Sequence, residues 1–69
     1  MTLSNRKRAM RCLHAIAAYS DDDVRTNLID FLADARHWCD QHGESYAELD
    51  RIAYQHYLAE LFESRRRQP

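Results

Sequence analysis

A chain of 69 residues, 45% hydrophobic and 30% charged, sits near the lower limit at which one core holds without a disulfide, a metal or a second subunit. One Gly, one Pro and no tract rich in Ser, Gly or Pro leave little loop, which points to an all-α fold in a single domain over residues 1–69. The formal net charge is only −1, and no segment approaches the ~20 apolar residues of a membrane span; with no apolar run of signal-peptide length after the basic start, a cytoplasmic protein without membrane contact is expected.

In chain order, the first helix is expected over about 4–19. Ala9, Met10, Leu13, Ile16, Ala17 and Cys12 make one broad apolar face, with Lys7, Arg11 and His14 pointing elsewhere. "SDDDV" then reads as a helix start, because Ser20 or Asp21 can cap free N–H groups and the aspartates suit the positive end of the helix dipole.

The second helix is expected over about 21–42. Val24, Leu28, Phe31, Leu32, Ala35, Trp38, Cys39 and His42 recur at steps of three and four, and Gly43 stands where a C′ glycine ends a helix. "SYAE" is a capping box, with Ser45 at the cap and Glu48 three residues on, and opens a third helix over about 45–63. On that helix Tyr46, Leu49, Ala53, Tyr54, Tyr57, Leu58 and Leu61 cover an arc wider than one neighbour needs, with Ile52 and Phe62 near its edges.

The architecture expected is a three-helix bundle, a short first helix packed on a long antiparallel hairpin. The excess apolar surface of helix three, with Ile52, Tyr54, Leu58 and Phe62 as its docking residues, points to a homodimer or a partner groove. The joint at "CDQHGESYAEL" is read as the bend of that hairpin. In a DNA-reading helix-turn-helix, Glu44, Glu48 and Asp50 would stand in the same negative field as the phosphates.

The near-zero net charge hides a segregation. Residues 1–19 carry Arg6, Lys7, Arg8 and Arg11 and no acid; residues 64–69 carry Arg65, Arg66 and Arg67; the body between them holds all eleven acids against Arg25, Arg36 and Arg51. The C-terminal arginines complement the negative pole of a helix, whereas "NRKRAMR" opposes the dipole. Three accounts of it stay open: it grips nucleic acid, it pairs with aspartates of helix two, or it solubilises a frayed end. Both basic ends, 1–8 and 64–69, are candidates for fraying.

Asp23, Asp30, Asp34 and His37 share the face of helix two opposite its apolar stripe. That face is either solvated or an acidic surface that docks on a basic partner. Asp50 and Glu60 intrude on the apolar arc of helix three, where a salt bridge to Arg36 or Arg25 is expected. His42 and His56 read as half-buried core residues, and Cys12 and Cys39 as reduced, buried thiols. No metal-ligand spacing, nucleophile pair or phosphate loop appears, so neither catalysis nor a cofactor or metal is expected.

"LADARHWCDQHG" followed by "ELDRIAYQHYLAEL" resembles a pattern in small helical accessory proteins of bacterial plasmids, phages and integrative elements, over about Leu28 to Leu61. The resemblance implies a regulator or inhibitor of host machinery and carries over no site residue.

The functional expectation is a non-catalytic protein-interaction module that inhibits a basic nucleic-acid-handling protein through Asp23, Asp30, Asp34 and His37. The alternative is a nucleic-acid-associated regulator gripping phosphates with Arg6, Lys7, Arg8, Arg11, Arg65, Arg66 and Arg67.

Overall fold

The computed structural model describes residues 4–20 and 23–66. Helix α1 (Asn5–Ile16) starts at Ser4. There the hydroxyl accepts the Lys7 N–H at 3.2 Å and the carbonyl accepts the Arg8 N–H at 3.0 Å. A cap of this kind satisfies the orphan donors of a first turn that holds no acid. One 3₁₀ turn, Ala17–Tyr19, tightens the exit, and Ser20 leaves it in left-handed backbone at φ 56°.

Helix α2 (Val24–Gln41) is capped by Asp23 rather than by Ser20 or Asp21. Ser20 is committed to the left-handed turn, and Asp21 lies outside the described residues. The Asp23 carboxylate accepts the Arg25 N–H at 2.8 Å and the Thr26 hydroxyl at 3.2 Å, so the helix begins at Val24 instead of residue 21.

The turn that follows is a glycine-dependent cap. Gly43 has φ 68°, and the Glu44 N–H closes on the Cys39 carbonyl at 2.9 Å, the long bond of a Schellman motif. Ser45 then caps α3 (Tyr46–Arg66), accepting the Glu48 N–H at 3.2 Å. The other arm of the expected capping box is redirected. Both Glu48 oxygens meet Arg51, at 3.1 and 2.6 Å, and that guanidinium holds the Glu48 carboxyl below the usual carboxylate range. Helix α3 also runs past the expected end at Glu63 to Arg66, and residues 5–8 are helical; residues 1–3 and 67–69 of the two basic ends lie outside the described residues.

All three helices touch one another in pairs, giving an all-α three-helix arrangement with the short α1 set against the α2–α3 hairpin. One corner, between the start of α1 and the far end of α3, is polar. Arg8 Nε lies 3.2 Å from Glu60 Oε2, the Asn5 side chain donates to the Glu60 carbonyl at 3.3 Å, and Arg8 also donates to Asn5 at 2.7 Å. Glu60 therefore takes its partner from helix one, not from Arg25 or Arg36. Arg36 instead stacks over the Tyr46 ring at 4.2 Å.

Very little is covered. Ile16 and Cys39, each 3% exposed, and Asn27 are the buried side chains among the described residues, and no buried side-chain polar atom there lacks a hydrogen-bond partner. Cys12, expected inside, is exposed. The radius of gyration is 14.4 Å, where a compact domain of this length has about 11 Å. The accessible surface is 6141 Å², more than ~1,000 Å² above the roughly 4,500 Å² of a compact monomer of this mass.

Two substitutions test this description. A Cβ at Gly43 meets nothing within 4 Å, so Gly43→Ala should cost about 1 kcal/mol through backbone conformation alone, read as a lower urea midpoint at unchanged slope. A double-mutant cycle on Arg8→Ala and Glu60→Ala should return a coupling of up to about 1 kcal/mol for this partly exposed pair. A coupling of zero would leave the docking of α1 to the Asn5–Glu60 carbonyl bond and apolar contact.

Candidate interaction groove

The uncovered faces meet in one place. Helix α2 presents Phe31, Leu32, Ala35, Trp38 and Cys39, which fall on one side because they recur at steps of three and four. From across the hairpin α3 presents Tyr46, Leu49 and Ala53. Tyr19, at the end of the 3₁₀ turn, closes one side, its ring edge-on to Phe31 with centroids 6.2 Å apart. The result is a solvent-open groove of about 640 Å³ with an almost wholly apolar surface. Trp38 is 52% exposed and Leu32 42%.

Among the described residues its charged lining is Asp34 on α2 and Asp50 on α3, with Arg36 beside it over the Tyr46 ring. Hydrogen bonding of the Tyr19 hydroxyl to Asp34, then burial and the negative charge of Asp34 and Asp30, raises the Tyr19 phenol above its ordinary value of 10.0. At the turn end, the His42 ring stacks on Trp38 at 4.3 Å with Nδ1 2.8 Å from the Trp38 carbonyl, so Nδ1 carries the proton. His42 and His56 are both exposed, where the sequence placed them in the core.

The residues singled out from the sequence divide as follows. Asp30, Asp34 and His37 remain on one side of α2, but Asp30 is half-buried and Asp34 is bonded to Tyr19. This side borders the groove instead of standing opposite it. Asp23 has both oxygens engaged at the start of α2. Tyr54, Leu58 and Phe62 stand together on the exposed side of α3, with the Tyr54 and Tyr57 rings stacked at 6.2 Å, whereas Ile52 falls elsewhere on that helix.

Arg6, Lys7 and Arg11 are exposed on α1 and Arg65 on α3, and the Arg8–Glu60 pair draws these two ends to one corner. Arg66 is helical and Arg67 lies outside the described residues. No group of three or more His, Cys, Asp or Glu is placed to hold a metal ion, and no helix is long and apolar enough to cross a membrane, among the described residues.

Sequence reasoning expected a docking surface on the third helix at Ile52, Tyr54, Leu58 and Phe62 and did not place a groove between the second and third helices. The missing signal was length. A first helix of about 18 Å cannot lie along partners of about 27 and 31 Å.

No protein-family model matches the chain, and no curated protein or solved structure matches it.

The Tyr19–Asp34 bond has a pH signature. A phenol whose folded pKa is raised stabilises the fold fully below 10.0, and that contribution is lost as pH rises through the folded value. In an ultraviolet tyrosinate titration, Asp34→Asn should move the latest-ionising tyrosine back toward 10.0. An unchanged titration would remove the bond.

Proposed function

We propose that the protein is a non-catalytic interaction module that receives a partner protein in the α2–α3 groove. The observation that carries this reading is the composition of the groove, an apolar floor lined by two carboxylates, with the one neighbouring guanidinium among the described residues, Arg36, laid over the Tyr46 ring. Such a cleft suits an amphipathic helix that lays its apolar side on Trp38, Leu32 and Leu49 and its basic flanks toward Asp34 and Asp50. Asp30 and His37 extend the edge beyond Asp34, so charge would orient the partner while apolar burial holds it.

A basic nucleic-acid-handling protein is the partner class this chemistry favours, and occupying a helix of such a protein would inhibit it. That role accords with the resemblance to accessory proteins of mobile elements.

The second reading, binding of nucleic acid, is favoured by one observation. The Arg8–Glu60 corner brings Arg6 and Lys7 of α1 and Arg65 of α3 to the same end of the molecule, although Arg8 itself is spent on Glu60. Convergent cations of this kind suit a phosphate backbone.

One experiment separates the two. Tagged chain is used to capture partners from its host with and without nuclease, alongside Asp34→Lys/Asp50→Lys and Arg6→Ala/Lys7→Ala/Arg65→Ala variants. The first reading expects a protein partner that survives nuclease and falls at least tenfold with the carboxylate reversals, while helicity is kept. Capture that ignores those reversals and disappears with nuclease or with the arginine-face variant would transfer the function to the basic corner.

A further inference from the structure

We propose that in the free protein the groove is filled by a second copy of this chain, each copy inserting the C-terminal half of its α3 into the other about a two-fold axis. The proposal rests on the groove being the interaction site.

The first argument is that the chain carries an insert of matching form. Tyr54, Leu58 and Phe62 recur at i, i+4 and i+8 and make an apolar ridge, 58%, 44% and 63% exposed. The ridge stands roughly 150° around the α3 axis from the Tyr46, Leu49 and Ala53 side that lines the groove. Ridge and groove wall belong to one rigid helix, so no chain can fill its own groove with its own ridge. A second copy can, and a two-fold axis satisfies both grooves at once.

The second argument is charge. The ridge runs out into Arg65, about two turns beyond Leu58, and the charged lining of the groove among the described residues is Asp34 and Asp50. Opposite signs therefore meet at each junction and reject the reversed docking, in which ridge would face ridge and arginine would face arginine.

The third argument is size. A compact particle of two chains has a radius of gyration of about 14 Å and the single chain already has 14.4 Å, so a dimer of ordinary compactness requires the copies to interlock rather than sit side by side. A pair closed to that compactness would expose about 7,500 Å² and bury on the order of 4,000 Å² from two chains of 6141 Å², the range of obligate dimers.

The test uses the full chain in sedimentation equilibrium and native mass spectrometry, with Leu32→Glu breaking the groove and Leu58→Glu breaking the ridge. Wild type is expected at twice the 8.2 kDa chain mass at micromolar concentration, and each variant alone as a monomer. An equimolar mixture of the two variants is expected to recover a heterodimer, because the intact ridge of the first meets the intact groove of the second. Trp38, the only tryptophan, gives a readout without mutation: its emission should shift to the red on dilution as the groove opens.

A wild-type monomer at micromolar concentration, or no red shift on dilution, overturns the proposal. A dimer that resists Leu32→Glu but not Leu58→Glu also overturns it, in favour of ridge on ridge. Either result leaves the capture of a different protein by the groove standing, since that is read separately from the carboxylate reversals.

Discussion

The length of α1 governs the rest of the structure. Twelve residues reach about 18 Å, while the hairpin arms beneath reach about 27 and 31 Å, so the first helix can brace the arms but cannot cover them. It touches α3 at Arg8 and Glu60 and runs to the start of α2 through the 3₁₀ turn, leaving the inward sides of both arms to solvent. Among the described residues, fourteen large apolar side chains thus remain more than a third exposed, and Ile16 and Cys39 alone represent an apolar interior.

With so little interior, order is carried by local bonds. The three α-helices described start at side-chain caps from Ser4, Asp23 and Ser45, and the reversal between α2 and α3 depends on Gly43 in the left-handed region. These devices define the helices and the turn between them. They do little to fix the angle at which the helices diverge, which falls to a handful of tertiary contacts such as the Arg8–Glu60 pair and the Tyr19–Phe31 edge contact.

Much of this was legible in the sequence, and what was not has a common cause. The helical class, the hairpin bend at Gly43 and the cap at Ser45 follow from short-range rules that need only a few neighbouring residues. The cap at Asp23 was missed among four consecutive candidates, since the choice depends on Ser20 adopting a left-handed turn. Periodicity placed Phe31, Leu32 and Trp38 on one side of α2, but it cannot tell whether another helix arrives to cover that side. Pairing across the chain was equally hidden. Glu60 needed a cation, and the N-terminal basic cluster was offered as an ion-pair partner to the aspartates of helix two, while Arg8, more than fifty residues from Glu60, pairs with helix three.

The open frame also bears on how long the chain survives in a cell. Helices with few buried contacts open locally at small free-energy cost, and proteases cut such segments in proportion to the time spent open. Covering the groove closes that route. A chain with an open groove is therefore cut faster than one whose groove is covered, and the difference grows with the fraction of time its helices spend open.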